Sequence, residues 1–148
     1  AEGGVYENPW LYEGKPFTTD DINDFFGYVY RITNLQNGRE YIGRKYFYSH
    51  RKKKGAKRRQ KSESDWKEYY GSSDELKEEI ENHGKENFRR EIISLHSTKG
   101  RVNYEEVREQ FLHGVLEDET YINGNINGKW HRAPEHIREK SKYRKSDV

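Results

Sequence analysis

With 148 residues, a formal charge of +2, 30% hydrophobic and 36% charged residues, the chain has room for one domain with appendages. Its small core must lean on twelve tyrosines, six phenylalanines and three tryptophans. The absence of cysteine excludes a disulfide framework, a thiolate nucleophile and a Cys-type zinc site. No apolar run approaches the ~18–20 residues of a membrane span and AEGGVYENPW has no signal-peptide core, so the expected compartment is the cytoplasm.

Residues 1–26 hold Pro9-Trp10-Leu11-Tyr12 and Pro16-Phe17, too irregular for a long element. They are expected to form an aromatic arm folded back on the core, with Thr19 or Asp20 capping a short helical turn through Asp24. From Gly27 the pattern sharpens. Tyr28, Tyr30 and Ile32 alternate with Val29, Arg31 and Thr33, a period-two run of β-branched and aromatic residues that reads as a strand. Gln36-Asn37-Gly38 supplies a turn in which Asn37-Gly38 favours positive φ at both central positions, and Glu40 to Phe47 reads as the returning antiparallel strand.

Charge is unevenly placed. Between Arg51 and Lys61 eight of eleven residues are Lys or Arg, whereas acids gather near the N-terminus and from Glu105 to Glu119. Such a run is more often a solvated loop than a specific site. With almost no apolar residue, 51–64 is expected to be a mobile loop, and Lys52, Lys53, Lys54, Lys57, Arg58, Arg59 and Lys61 are candidate phosphate contacts.

Asp65 to Tyr70 places Trp66 and Tyr69 or Tyr70 on one helical face. Gly71-Ser72-Ser73 then recaps the chain into a helix that stops at Asn82-His83-Gly84. Phe88 to Leu95 follows as an apolar strand. A further helix is expected from Asn103 to about Glu117, burying Val102, Val107, Phe111, Leu112, Val115 and Leu116. Glu106 and Glu109 lie three apart and share a face of it. From Lys129 the chain is polar and basic, with one further helix expected from Pro134 to Lys142.

Val29-Tyr30 followed eleven residues on by Tyr41-Ile42-Gly43 resembles the two half-motifs of the GIY-YIG nuclease family, with Gly27 one residue early. Arg51 lies ten residues past Tyr41, where that family carries an arginine; counting back from Gly71-Ser72-Ser73 favours Arg58 instead. GSS, a helix, HGKENF and an apolar strand are similar to the middle of phage-encoded members. Glu109-Gln110-Phe111-Leu112 resembles the family's glutamate followed by a bulky pair, and Tyr121 to Ile126 its terminal asparagine motif. The resemblance covers residues 27–128. It implies an α/β (α+β) domain with a three-stranded antiparallel sheet, marked by Val29, Ile42 and Ile92 and flanked by helices, between the arm and a basic tail at 129–148.

The resemblance also implies chemistry: a DNA endonuclease of homing, restriction or host-DNA-degrading type, acting on double-stranded DNA in a host cytoplasm if phage-encoded. Its cofactor would be one Mg²⁺ or Mn²⁺, an ion that needs only one or two protein carboxylates, here Glu109 or Glu106. Tyr30 would be the general base, with Lys45, Arg44 and Arg51 favouring its phenolate. Arg51 would otherwise clamp the scissile phosphate, Tyr41 would orient water or phosphate, and Asn125 or Asn123 would support the site. The family's His or Tyr one turn past the arginine falls on Gly55, so Tyr48 or His50 would substitute. A non-catalytic nucleic-acid module would use the same basic loop and aromatics. An interaction protein would instead make partner surfaces of the arm and the acidic helix, without salt-sensitive DNA binding.

Overall fold

In the computed structural model, which describes residues 6–52, 55 and 59–134, the two tyrosine-rich runs form one antiparallel pair. Strand β3 (Gly27–Asn34) and strand β4 (Glu40–Tyr46) face each other in a register that sets Tyr30 opposite Gly43 and Ile32 opposite Tyr41. The connection is not the two-residue turn the sequence suggested. It runs over residues 35–39, only Gly38 has positive φ, at +76°, and the Gly38 amide donates to the Asn34 carbonyl at 2.7 Å. The Asn37 side chain instead accepts from the Arg39 amide at 2.9 Å, closing the loop without a left-handed asparagine.

The three strands expected to be antiparallel are β4, β3 and β7 (Phe88–His96), joined in that order. A bulge between Val29 and Tyr30 leaves Ile93 without an opposite number and turns it toward the core below. The arm contributes more than the sequence suggested. Short strands β1 (Leu11–Tyr12) and β2 (Lys15–Pro16) extend the sheet to five in the order β2-β1-β7-β3-β4, β1 running parallel to β7. Thr18 caps a 3₁₀ turn at Thr19–Asp21, its amide held by the Asp21 carboxylate at 2.8 Å.

Alternation along β3 and β4 divides the core. One face carries Tyr28, Tyr30 and Ile32 against Trp10, Phe17, Phe47, Trp66 and Leu76, all buried. The Trp10 indole donates to the Trp66 carbonyl at 2.7 Å, locking the arm to the segment after the basic run. Arg90 is buried under both. Its guanidinium donates to the carbonyls of Asn8, Lys67 and Tyr69 at 2.7–2.9 Å and lies 4.1 Å from the Tyr70 ring, so a charge that burial would penalise is satisfied by oxygens and π-faces.

The opposite face carries Val29 and Ile42 against Val115, Leu116, Tyr121 and Ile126. Helix α1 (Asp74–His83) starts at Ser73, whose hydroxyl accepts from the Leu76 amide, and stops at Gly84 with φ +89°. Helix α2 spans Lys99–Leu112, so it begins four residues before Asn103 and ends five before Glu117; Thr98 is its cap, accepting from the Arg101 amide. Its buried positions are Val102, Glu105, Glu106 and Gln110, while Phe111 and Leu112 are 52% and 69% exposed. Val102, Val115 and Leu116 are buried as expected, but Phe111 and Leu112 are not, because α2 lies over a sheet face that presents Arg44 as well as carbon, and Glu106 turns inward to meet that guanidinium.

The run expected to be a loop contains a second antiparallel pair, β5 (Tyr48–Lys52) with β6 (Arg59–Glu63), so Arg51, Lys52, Arg59 and Lys61 belong to a ribbon that follows β4. Beyond Lys129, residues 125–126 and 130–131 pair as β8 (Asn125–Ile126) and β9 (Trp130–His131). The expected helix from Pro134 to Lys142 lies, after Pro134, outside the described residues.

Candidate active site

Strand β4 is the edge of the sheet, and its edge is only partly covered. The Glu40 amide donates to Thr120 O and its carbonyl accepts from the Ile122 amide. At Ile42 the cover is a side chain. Asn123, 1% exposed, accepts from the Ile42 amide at 3.1 Å and donates to its carbonyl at 2.8 Å, and Gln110 donates to the same carbonyl at 2.9 Å. Past Ile42 a cleft of about 680 Å³ opens, walled by Tyr30, Tyr41, Gly43, Arg44, Lys45, Ser72 and Glu106, and by Tyr48, Ser49, Ser62 and Ser64 at the root of the cationic ribbon.

The glycine of Tyr41-Ile42-Gly43 has a steric reason. A Cβ there would stand 2.5 Å from the Tyr30 phenol oxygen, so only a bare backbone lets that ring cross β4 and reach the cleft. Tyr30 is hydrogen-bonded to Tyr69, which the Arg90 guanidinium holds through its backbone carbonyl. Burial pushes the Tyr30 phenol well above its ordinary range, with the neighbouring phenols of Tyr69 and Tyr41 acting in the same direction. Tyr41 is pushed up to about 12, again mainly by burial, with a Ser72 hydrogen bond and the Arg44 charge opposing.

Two of the expected cations, Arg44 and Lys45, line the cleft, and each is already paired. Arg44 Nη1 meets Glu106 Oε1 at 2.7 Å and its Nε meets the Tyr46 hydroxyl at 3.2 Å, while Tyr46 donates to Asn103 at 2.6 Å. Lys45 lies 2.7 Å from Asp65 and 4.0 Å from the centre of the Tyr69 ring, and its hydrogen bond lowers the Asp65 carboxyl. Neither cation is directed at Tyr30.

Of the two candidate glutamates, Glu106 reaches the cleft. Burial raises its carboxyl against the opposing pull of Arg44. Glu109 lines neither this cleft nor its neighbour and turns to His113, 3.4 Å away, whose other ring nitrogen lies 3.3 Å from Arg31. Three residues of helix leave the two side chains about 60° apart, neighbours on one side of α2, with Glu106 meeting Arg44 and Glu109 meeting His113. Among the described residues no cluster of three or more Asp, Glu or His gathers as a metal cage. A lone carboxylate with open volume beside it suits a mostly hydrated Mg²⁺ and no ion that demands many protein ligands.

Asn123 and Asn125 also separate. Asn123 is spent on β4, whereas Asn125 is exposed, accepts from the Gly128 amide and lines a second cavity of about 610 Å³ that meets the first at Tyr41, Arg44, Ser72 and Glu106. Arg51 and Lys52 lie on β5 and Arg59 on β6, beyond the cleft wall at Ser49 and Ser62. Lys61 stands 4.1 Å over the Tyr48 ring. Lys53, Lys54, Lys57 and Arg58 fall outside the described residues. Sequence reasoning missed Asp65, Tyr69 and Gln110; the GSS run signalled Ser72 but only as a cap.

An α/β domain whose edge-strand cleft joins phenols, a carboxylate and a cationic ribbon is built on the plan of a nuclease. Residues 10–126 match the family described as "Putative endonuclease segE, GIY-YIG domain", and the chain belongs to the GIY-YIG nuclease family. It is an endonuclease domain, with nucleic acid as its substrate. No curated protein and no solved structure gives a significant match. No helix among the described residues is long and apolar enough to cross a membrane.

Proposed function

We propose that the domain hydrolyses phosphodiester bonds of double-stranded DNA with one divalent cation, Mg²⁺ or Mn²⁺, held at Glu106. The observation that carries this reading is the convergence of Tyr30, Tyr41, Arg44, Lys45 and Glu106 on one cleft whose wall continues into the basic ribbon. The ribbon lies along the phosphate backbone and delivers it to the cleft. Arg44, whose planar fork suits phosphate oxygens, exchanges part of its bond to Glu106 for the substrate. The carboxylate thus freed would hold the divalent cation, which when bound would supply positive charge for the departing oxygen. Tyr41 and Ser72 orient the attacking water, and Tyr30 takes its proton. Arg51, on β5, clamps the backbone further out, and Asn125 supports the neighbouring cavity.

Because burial holds the Tyr30 proton, the active phenolate is a minor species at neutral pH. The rate therefore rises with pH across the neutral range.

Supercoiled plasmid is nicked or linearised with Mg²⁺ and stays intact in EDTA. Glu106→Gln and Tyr30→Phe bind duplex DNA like the parent but cleave at least ~100-fold more slowly, the scale of lost acid–base assistance. Glu109→Gln cleaves like the parent. Cleavage in chelator, or parental rates in Glu106→Gln, rejects the metal assignment. A phage-encoded homing, restriction or host-DNA-degrading role belongs to the same proposal, and the pattern of cleavage on host and modified DNA separates the three.

A further inference from the structure

The face of α2 turned away from β4 carries Phe111 and Leu112, which the sequence assigned to the core, together with Tyr104. Tyr104, Phe111 and Leu112 are 55%, 52% and 69% exposed, and Trp130 of β9, 45% exposed, packs edge-on against Phe111 at 5.3 Å. A shallow concavity of about 440 Å³ lies among Tyr104, Val107, Arg108, Phe111 and Leu112. The rings do not stand alone. The Arg101 guanidinium lies 5.0 Å from the Tyr104 ring and the Lys129 ammonium 5.9 Å from the Trp130 ring. Arg101 and Arg108 are both anchored to the buried Glu105, at 2.6 and 3.1 Å, yet each remains more than half exposed. One carboxylate thus fixes two guanidiniums, and Lys129 adds a third cation beside Trp130.

We infer that this stripe is a binding surface for unpaired nucleotides, distinct from the duplex-directed cleft. Alternating π-faces and fixed cations complement a chain that alternates bases and phosphates. The centre of a protein interface is instead depleted of charge. A closed duplex offers its phosphates to such a surface but no base face to its rings. Tyr104 and Phe111 are seven residues apart, about 10.5 Å along the axis, which spans about three stacked nucleotides at ~3.4 Å each. A strand frayed or displaced at the cleavage locus is the natural occupant.

The test exploits tryptophan placement. Trp10 and Trp66 are fully buried, so quenching by an added oligonucleotide reports on Trp130. Oligothymidylate of about twelve nucleotides, a length within single-strand site sizes, should quench the full-length protein saturably. The quench should persist in Glu106→Gln, whose cleft is disabled, and the same length of duplex should quench at least about tenfold less well, since stacking is worth ~1–3 kcal/mol per base. Tyr104→Ala combined with Phe111→Ala should weaken the oligothymidylate titration at least about tenfold while leaving cleavage of short blunt duplexes at the parental rate. Bound oligonucleotide, seen by anisotropy, with no change in Trp130 fluorescence overturns the inference, as does equal quenching by duplex. A concentration-dependent dimer dissolved by Phe111→Ser, without any loss of oligonucleotide affinity, overturns it in favour of self-association.

Discussion

Gly43 and Tyr30 face each other across β3 and β4 so closely that a Cβ on the glycine would stand 2.5 Å from the phenol oxygen and 2.7 Å from the carbon bearing it. Gly43→Ala must displace the ring or the strand. We expect ~1–3 kcal/mol of destabilisation from overpacking, read by urea denaturation. In the fraction that folds, single-turnover cleavage should fall by ~10²-fold, the scale of a misplaced reacting group. A destabilised protein that cleaves at the parental rate would show that the phenol's position is unimportant.

Tyr28 is fully buried and its hydroxyl has no hydrogen-bond partner among the described residues. Tyr28→Phe should therefore be neutral or stabilising by up to ~1 kcal/mol, since no bond is lost and a desolvated oxygen is removed. The same substitution probes alkaline stability. Burial raises the folded-state phenols of Tyr28 and Tyr30, and Tyr41 to about 12, above an unfolded value of ~10. Between those values the unfolded chain loses protons that the folded chain keeps, so stability is fully present below pH ~10 and is lost as pH rises toward the folded values. Denaturation across that window should be shallower in Tyr28→Phe; an identical slope would mean that Tyr28 ionises while folded.

Arg132 lies at the foot of the β8–β9 pair and its guanidinium donates to the carbonyls of Val115, Tyr121 and Asn123 at 2.6–2.9 Å. Cutting the chain after Trp130 removes this clamp along with the basic tail. Arg132→Ala should cost ~2–4 kcal/mol, because hydrogen bonds from a charged donor are worth ~1.5–3 kcal/mol each and the freed carbonyls stay partly buried. Truncation after Pro134 keeps the clamp and should leave Mg²⁺-dependent cleavage of non-specific DNA intact. Thermal melting of the two proteins distinguishes loss of the clamp from loss of the tail; equal melting would assign Arg132 to the surface.

The ribbon should contribute counterion release. If Lys52, Lys53 and Lys54 meet phosphates, replacing all three by Gln should flatten the dependence of log K on log salt by ~2–3, at ~0.9 per contact. An unchanged slope would return these lysines to solvent.

Legibility followed the hydrophobic pattern and failed where charge replaced it. β3, β4, α1 and β7 announce themselves by alternation or by caps, since each packs carbon on at least one face. α2 was legible as a helix but its inward face only in part, because Glu105, Glu106 and Gln110 occupy inward positions, where Glu106 meets Arg44 and Gln110 a strand-edge carbonyl. The candidate site is where that inversion occurs, so Glu106 and Glu109 could not be told apart by hydropathy. β1 runs parallel to a strand some eighty residues away and is only two residues long, a pairing no local period encodes. The ribbon is expected from sequence to be a mobile loop for a related reason: it has almost no apolar residue, and its pairing is one of backbone bonds.

The amide of Asn123 closes β4 from 81 positions further along the chain. Contacts of that sequence separation form late, after the loop-closure entropy of everything between them has been met. During synthesis, therefore, Tyr30 and Tyr41 leave the ribosome long before the side chains that complete their surroundings, and the cleft cannot close until residues around Ile126 have followed. A chain ended before Asn123 lacks the amide that covers β4 at Ile42. The edge of the sheet beside the cleft is completed by the last part of the domain to arrive.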